Sequence, residues 1–315
     1  MDMEKERQSN MEFVRDEGRK APVMKLQARG EIPYLTFPKL EACDKIEHLF
    51  TTRAGGVSEG QFSTMNFSVN LGDHPENVRE NYRRVAALLR CGIEDITGTV
   101  QTHTTNIRRV TLEDRGKVAF LTPDYGDVDG LVTNVKGIAL AVFTADCVPI
   151  YFVDPVREAI GLAHSGWRGT VSNMAGKMIE RMKREFGTDP KDLIIAIGPS
   201  ICQNCYEVDE TVAEAFRQGL GEDEAERGKI KASGIYPMEG AFGLRRVLEP
   251  GRMPGKYQLD LWLANLIWLV RAGADLSRVD VTDLCTAQNS KLLFSHRASR
   301  GKRGNMGAFL KLKND

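Results

Sequence analysis

The chain has 315 residues, 42% of them hydrophobic and 27% charged, a composition that fits a globular protein with a core and excludes a disordered or fibrous one. Its 43 Lys and Arg balance its 43 Asp and Glu, so no net field recruits nucleic acid or an anionic membrane as partner. Six scattered cysteines make no disulfide framework, and no apolar leader or membrane-spanning run is visible, so a cytoplasmic protein with free or metal-bound thiols is expected.

Residues 1–30 are rich in alternating charges and read as a solvated, disordered extension ahead of one domain over 31–315. A strand over 48–52 leads into the turn Arg53-Ala54-Gly55-Gly56. Val78, Tyr82, Val85 and Leu89 then recur every three or four residues behind Asp73 and Pro75, which predicts a helix. Strands follow over 99–103, near Leu131, over 138–143 and over 148–153, the last two separated by Thr144-Ala145-Asp146-Cys147.

A further strand over 159–164 ends in Ser165-Gly166-Trp167-Arg168-Gly169, and the next helix carries Val171, Met174, Met178 and Met182 on one stripe. The pattern repeats from a strand over 193–197 to a helix that starts at Asp209 and turns Val212 and Phe216 inward. Residues 219–256, rich in Gly, Pro and charge, read as a surface excursion. A helix over 261–270 returns to the core, and a strand over 279–284 precedes Cys285-Thr286 and a basic segment over 297–303. This order predicts an α/β fold in one domain, with a mixed central sheet and helices packed on it.

Three metal-competent side chains share one kind of place: His103 closes a strand, Cys147 sits in the break between two strands, and His164 closes another. One thiolate and two neutral imidazoles suit zinc, and three protein ligands leave a fourth tetrahedral position open for water or substrate. A hydrogen-bonded His and a packed Cys satisfy the same pattern, and the residues alone leave both readings open. Cys202-Gln203-Asn204-Cys205 is a second metal candidate, but it lacks the further Cys or His pair of a zinc finger. Two segments suit an anion: Arg53-Ala54-Gly55-Gly56-Val57-Ser58 sets a cation beside free amides, and Gly166-Trp167-Arg168-Gly169 lies at a helix N-terminus.

Thr51-Thr52-Arg53-Ala54-Gly55-Gly56-Val57-Ser58, Gln101-Thr102-His103, Ala145-Asp146-Cys147-Val148-Pro149, Ala163-His164-Ser165-Gly166-Trp167-Arg168-Gly169 and Ile197-Gly198-Pro199-Ser200-Ile201 occur here in one order. In that order they resemble the YfiH-type family, labelled either as purine nucleoside phosphorylase or as multicopper polyphenol oxidase (laccase) domain. The resemblance covers about residues 49–310. It implies a single α/β domain, zinc on His103, Cys147 and His164, and phosphorolysis of adenosine, inosine and S-methyl-5'-thioadenosine, with adenosine deamination beside it. Arg53, Asn66 and Arg168 match motif positions assigned to the substrate pocket. The chain departs from the family pattern at Thr104, where Gly is usual, and at His296 and Arg303-Gly304-Asn305, where Tyr and Thr-Gly-Arg are usual.

Deamination needs a general acid for the leaving ammonia, and Asp146, beside Cys147, is the candidate; phosphorolysis needs a cation for phosphate, Arg53 or Arg168. Three other readings use the same residues. His164 could activate Cys147 as the nucleophile of a metal-free amide hydrolase, and the site could be the metal centre of a non-catalytic module. Copper with phenol oxidation asks for many His ligands, and the chain has only five His.

Overall fold

The computed structural model describes residues 12–16, 22–221, 239–240, 243–244 and 246–314. In chain order its strands are β1 (Lys25–Arg29), β2 (Ile32–Thr36), β3 (Ile46–Thr51), β4 (Ile96–Gly98), β5 (Ile107–Arg109), β6 (Gly130–Thr133), β7 (Ala139–Thr144), β8 (Val148–Asp154) and β9 (Ala159–Ser165). There follow β10 (Ile194–Ile197), β11 (Glu207–Asp209), β12 (Glu239–Gly240), β13 (Gly243–Leu244), β14 (Leu248–Pro250), β15 (Lys256–Leu259), β16 (Val279–Val281) and β17 (Met306–Leu312). The helices are α1 (Pro38–Glu41), α2 (Pro75–Leu88), α3 (Trp167–Val171), α4 (Met174–Phe186), α5 (Glu210–Leu220), α6 (Leu261–Arg271) and α7 (His296–Ser299).

The mixed α/β class is as expected, but the central sheet is doubled. One six-stranded sheet runs β1-β2-β3-β17-β7-β4 and the other β16-β10-β8-β9-β6-β5. Both mix pairings, with β4 parallel to β7, β5 to β6 and β10 to β16 among antiparallel neighbours. Apolar residues on both faces of a strand require cover on both sides. In β8, Val148, Ile150 and Phe152 pack with Met174, Met178 and Met182 of α4 and with the apolar α6, while Tyr151 and Val153 join Leu140, Val142, Ala308 and Leu310 between the sheets. Phe309 of β17 faces the other way, onto Tyr82 and Val85 of α2. The layers are therefore helix, sheet, sheet, helices.

Several local features depart from the sequence reading. Residues 99–103 are not a strand; the strand is Ile96–Gly98, and His103 lies in the loop beyond it. The helix expected through Val171 and Met182 is broken, because Asn173 takes a left-handed φ of 63° and its side chain accepts from Gly176 N–H to start α4 afresh. Within the stretch set aside as an extension, β1 forms the edge of a sheet and Arg15 pairs with Asp283. Residues 1–11 and 17–21 of that stretch lie outside the described residues, as do 222–238, 241–242 and 245 of the expected excursion. The described part of the excursion includes β14, which pairs with β15, and β15 in turn pairs with β11. No helix among the described residues is long and apolar enough to cross a membrane.

Candidate metal centre

Strand register assembles the centre. β8 and β9 pair Val148 with Ser165 and Pro149 with His164, so Cys147, one residue ahead of β8, falls beside the end of β9. β6 and β9 pair Gly130 with Ala163, which sets Asp129 next to His164, whose N–H donates to the Asp129 carbonyl at 2.8 Å. The loop carrying His103 then closes on the Asp129 carboxylate. Oδ1 accepts from His103 N–H at 3.2 Å, and Oδ2 accepts from Thr102 and Thr104 N–H, both at 3.0 Å. His103 itself has φ 66°, a conformation a non-glycine residue keeps only where its surroundings over-determine it, as this clasp does.

Asp129 also orients the second imidazole: His164 Nδ1 lies 2.7 Å from Asp129 Oδ1, leaving Nε2 to face the site. A carboxylate behind a metal-binding histidine fixes its tautomer and ring direction. Cys147 Sγ stands 3.8 Å from His103 Nε2, the two imidazoles meet edge to face at 5.0 Å, and the three donor atoms all lie within 4.8 Å of one another. A side chain at Gly166 would collide with this group, since an added Cβ would lie 2.8 Å from His103 Cδ2 and 3.1 Å from Cys147 Sγ. One soft and two imidazole donors around a shared point, backed by a carboxylate, fit a metal ion.

Without an ion the group is polarised. Burial opposes the Cys147 thiolate, but the charge of His164 and hydrogen bonds from His103 and His164 outweigh it and bring the thiol down to about 6. Burial likewise opposes an imidazolium at His164, yet the Cys147 thiolate and Asp129 raise it to about 9. The Asp129 carboxyl is lowered against its burial by the His164 hydrogen bond.

His103, Cys147 and His164 form one end of a cavity of about 750 Å³. Phe67, Tyr82 and Phe143 give it an aromatic wall, and Phe120 and Leu121 an apolar rim. The cation in this cavity is Arg303, alongside Asn305. Its Nε is buried with no hydrogen-bond partner among the described residues, although the guanidinium also bonds Asn305. Burial pulls its pKa below the ordinary value, against the charges of Cys147 and Asp146.

The other residues singled out from sequence lie elsewhere. Asp146 is buried outside the cavity lining, with Oδ1 accepting from Thr286 Oγ1 at 2.6 Å and Oδ2 from Arg297 N–H at 2.7 Å. These bonds fix the turn ahead of Cys147. Arg53 is held by the carbonyls of Ser63 and Ser290, both at 2.9 Å, with its guanidinium over Phe294, so it braces two loops. Asn66 is fully buried and ties Ser68, Asp73 and Asn305 together behind the cavity wall. Arg168 is exposed and stacks 4.3 Å over the Trp167 ring, and α3, where it sits, is a single short turn. Sequence reasoning missed Asp129 and Arg303. The first had no marker beyond an acidic residue ahead of a strand, whereas the second stood in a basic segment already noted.

An open three-donor centre on an α/β double sheet defines the class, and comparison places the chain within it. The family model for multi-copper polyphenol oxidoreductase laccase matches residues 47–313, and the chain belongs to that family. It is 39% identical over 262 residues to a protein named purine nucleoside phosphorylase YlmD from Geobacillus stearothermophilus, covering 82% of this chain and 88% of that one. It is 30% identical over 270 residues to one named adenosine deaminase RL5 from an unknown prokaryotic organism, covering 85% and 93%. The crystal structure of Bacillus licheniformis hypothetical protein YfiH superposes with a TM-score of 0.79 at 33% identity, covering 91% of this chain and 99% of that one.

Proposed function

We propose that the chain is a zinc-dependent purine nucleoside phosphorylase acting on adenosine, inosine and S-methyl-5'-thioadenosine, with adenosine deamination as a second activity of the same site. The observation that carries this reading is the three-donor group opening into a cavity with both an aromatic wall and a half-buried cation. The names of the relatives point the same way.

His103, Cys147 and His164 would hold the zinc, which when bound supplies a Lewis acid and an activated water. Asp129 engages His164 at Nδ1, which turns Nε2 towards the site, and pins the loop of His103, so the donors are pre-set rather than recruited. The flat wall of Phe67 and Phe143 suits a purine face, and the polar edge at Ser68 and Asn305 suits its ring nitrogens or the ribose hydroxyls. Arg303 takes the place that sequence reasoning gave to Arg53 or Arg168: it is the cation that lines the cavity, and its guanidinium supplies charged donors for phosphate. In phosphorolysis an oxygen of hydrogen phosphate bonds ribose C1' as the bond to the base nitrogen breaks, and the proton the phosphate gives up ends on that nitrogen of the departing base. In deamination water adds to the carbon bearing the amine and ammonia departs. Asp146, whose oxygens accept from Thr286 and Arg297, is read as holding the Cys147 turn rather than as the general acid.

Zinc is favoured over a multicopper centre because His48, His74 and His296 lie outside the donor group. A second reading rests on the low Cys147 thiol and raised His164, backed by Asp129, which is also how a nucleophilic cysteine is prepared. Alkylation separates the two: a zinc-held thiolate resists until a chelator is added, whereas a free nucleophile reacts at once.

The test is incubation with adenosine, with and without phosphate, following adenine, ribose 1-phosphate and inosine. Adenine only with phosphate, together with inosine in both cases, is the expected result; absence of both products overturns the reading. Arg303→Met is expected to raise the KM for phosphate by about tenfold to a hundredfold, the worth of one charge-assisted hydrogen bond. An unchanged KM removes Arg303 from phosphate binding.

A further inference from the structure

A second group of soft donors lies outside the cavity. Cys202, Cys205 and Cys285 come from two segments far apart in sequence, yet their three sulfur atoms lie within 4.8 Å of one another. The fold dictates this meeting. β10 runs parallel to β16, and the bridge between Ser200 and Cys285 continues that pairing past both strand ends, where Thr286 N–H donates to the Ser200 carbonyl at 3.0 Å. The chain then turns over Gln203–Cys205, with Cys205 N–H donating to the Cys202 carbonyl at 3.1 Å, and the turn folds Cys205 back onto the other two thiols.

We propose that Cys202, Cys205 and Cys285 form a second metal site, which takes one thiophilic cation, Zn²⁺ or Cu⁺. Thiolate sulfurs on one tetrahedral ion stand about 3.8 Å apart, given metal–sulfur bonds of about 2.3 Å, so the group needs at most about 1 Å of closure. Cys202 N–H already donates to Cys285 Sγ at 3.3 Å, a bond that favours a thiolate over a thiol. Cys202 and Cys285 are buried while Cys205 is partly exposed, which gives an ion a path in from one side. Arg297 reaches the Cys205 carbonyl at 3.5 Å, and the Cys205 sulfur lies within electrostatic reach of Arg252 on one side and of the Asp146 carboxylate on the other, so a cation among the thiols would meet charge of both signs. Thiolate ligands select zinc and copper(I) over harder cations. Among the described residues no fourth His, Cys, Asp or Glu completes the group, so the remaining position falls to solvent or stays empty.

This site is wired to the first. Thr286, next to Cys285, donates to Asp146, and Ile201 N–H, next to Cys202, donates to the Asp146 carbonyl at 3.0 Å, while Asp146 itself precedes Cys147. An ion on the three thiols would therefore stiffen the turn that presents Cys147.

The experiment is titration of the reduced, metal-stripped full chain with Zn²⁺, and separately with Cu⁺ under reductant, counting equivalents bound. Two equivalents are expected for the wild type, one for Cys205→Ser and Cys285→Ser, and one for His103→Ala. Loading of the second site by Cu⁺ alone assigns it to copper(I) and upholds the site. One equivalent of each cation in the wild type, unchanged in Cys205→Ser, overturns it. Should the buried variants fail to fold, iodoacetamide labelling of the wild type decides the matter. Cys205 is expected to be protected by Zn²⁺ or Cu⁺, and equal labelling with and without metal overturns the proposal.

Discussion

At Asp129 one carboxylate performs two tasks that a sequence keeps apart, clasping the backbone of residues 102–104 and orienting His164 through Nδ1. An amide cannot do both, because its NH₂ would face either the loop N–H groups or the imidazole N–H. Asp129→Asn is therefore expected to weaken zinc binding by about tenfold to a hundredfold while the chain stays folded. Isothermal titration of the metal-stripped protein checks this, and unchanged affinity would show that the clasp does not shape the site. The donors His103, Cys147 and His164 were legible from sequence because each is a metal-competent residue next to an apolar run. Asp129 and Arg303 were not, since Asp129 works on partners 25 to 35 positions away in sequence and Arg303 on a cavity whose other walls come from distant segments. Arg53, Arg168 and Asp146 lie outside the cavity lining for the converse reason. A charge beside a glycine turn looks available in sequence, and only the structure shows that Ser63, Ser290, Thr286 and Arg297 already engage it, or that Trp167 lies under it.

At the scale of elements, the helices were the most readable part. The stripe of Val78, Tyr82 and Val85, the cap at Asp209 and the apolar run from Leu261 are local signals, and they place α2, α5 and α6 within a residue or two. Strand β17 was missed although it is central to its sheet. Met306–Leu312 follows a basic segment and carries Lys311, which is buried and bonded to Glu47 and to the Leu89 and Arg90 carbonyls, so its charge is satisfied only by the fold. Phe309 of this strand is fully buried and packs at 5.3 Å on Phe67 of the cavity wall. Phe309→Ala is expected to cost about 3 to 5 kcal/mol, read by chemical denaturation, and to loosen the cavity wall as well. A loss below about 1 kcal/mol would mean that β17 does not organise that face. The doubling of the sheet could not be read from pattern, since apolar strands look the same whether helices or a second sheet cover them.

For the molecule as a whole, the layer between the sheets carries a pH signature. His48 is buried there against Phe37 and Tyr151, and its Nε2 accepts from Phe37 N–H at 2.9 Å, which only the neutral ring can do. Burial pushes its pKa down to about 4. The unfolded chain takes up that proton near pH 6.5 and the folded chain only near pH 4, so the stability His48 provides is whole above 6.5 and lost as pH falls towards 4. The advantage of the wild type over His48→Gln should shrink by about 3 kcal/mol between pH 7 and pH 4, measured by urea unfolding at each pH. A pH-independent difference would contradict the buried neutral ring.

The central claim is that the group of His103, Cys147 and His164 holds the ion on which nucleoside cleavage depends. Its most direct test is adenosine phosphorolysis by the wild type after chelation, after zinc is restored, and by His103→Ala. The prediction is loss on chelation, recovery with zinc, and neither zinc at this site nor cleavage in the variant. Undiminished phosphorolysis by zinc-free protein would contradict it.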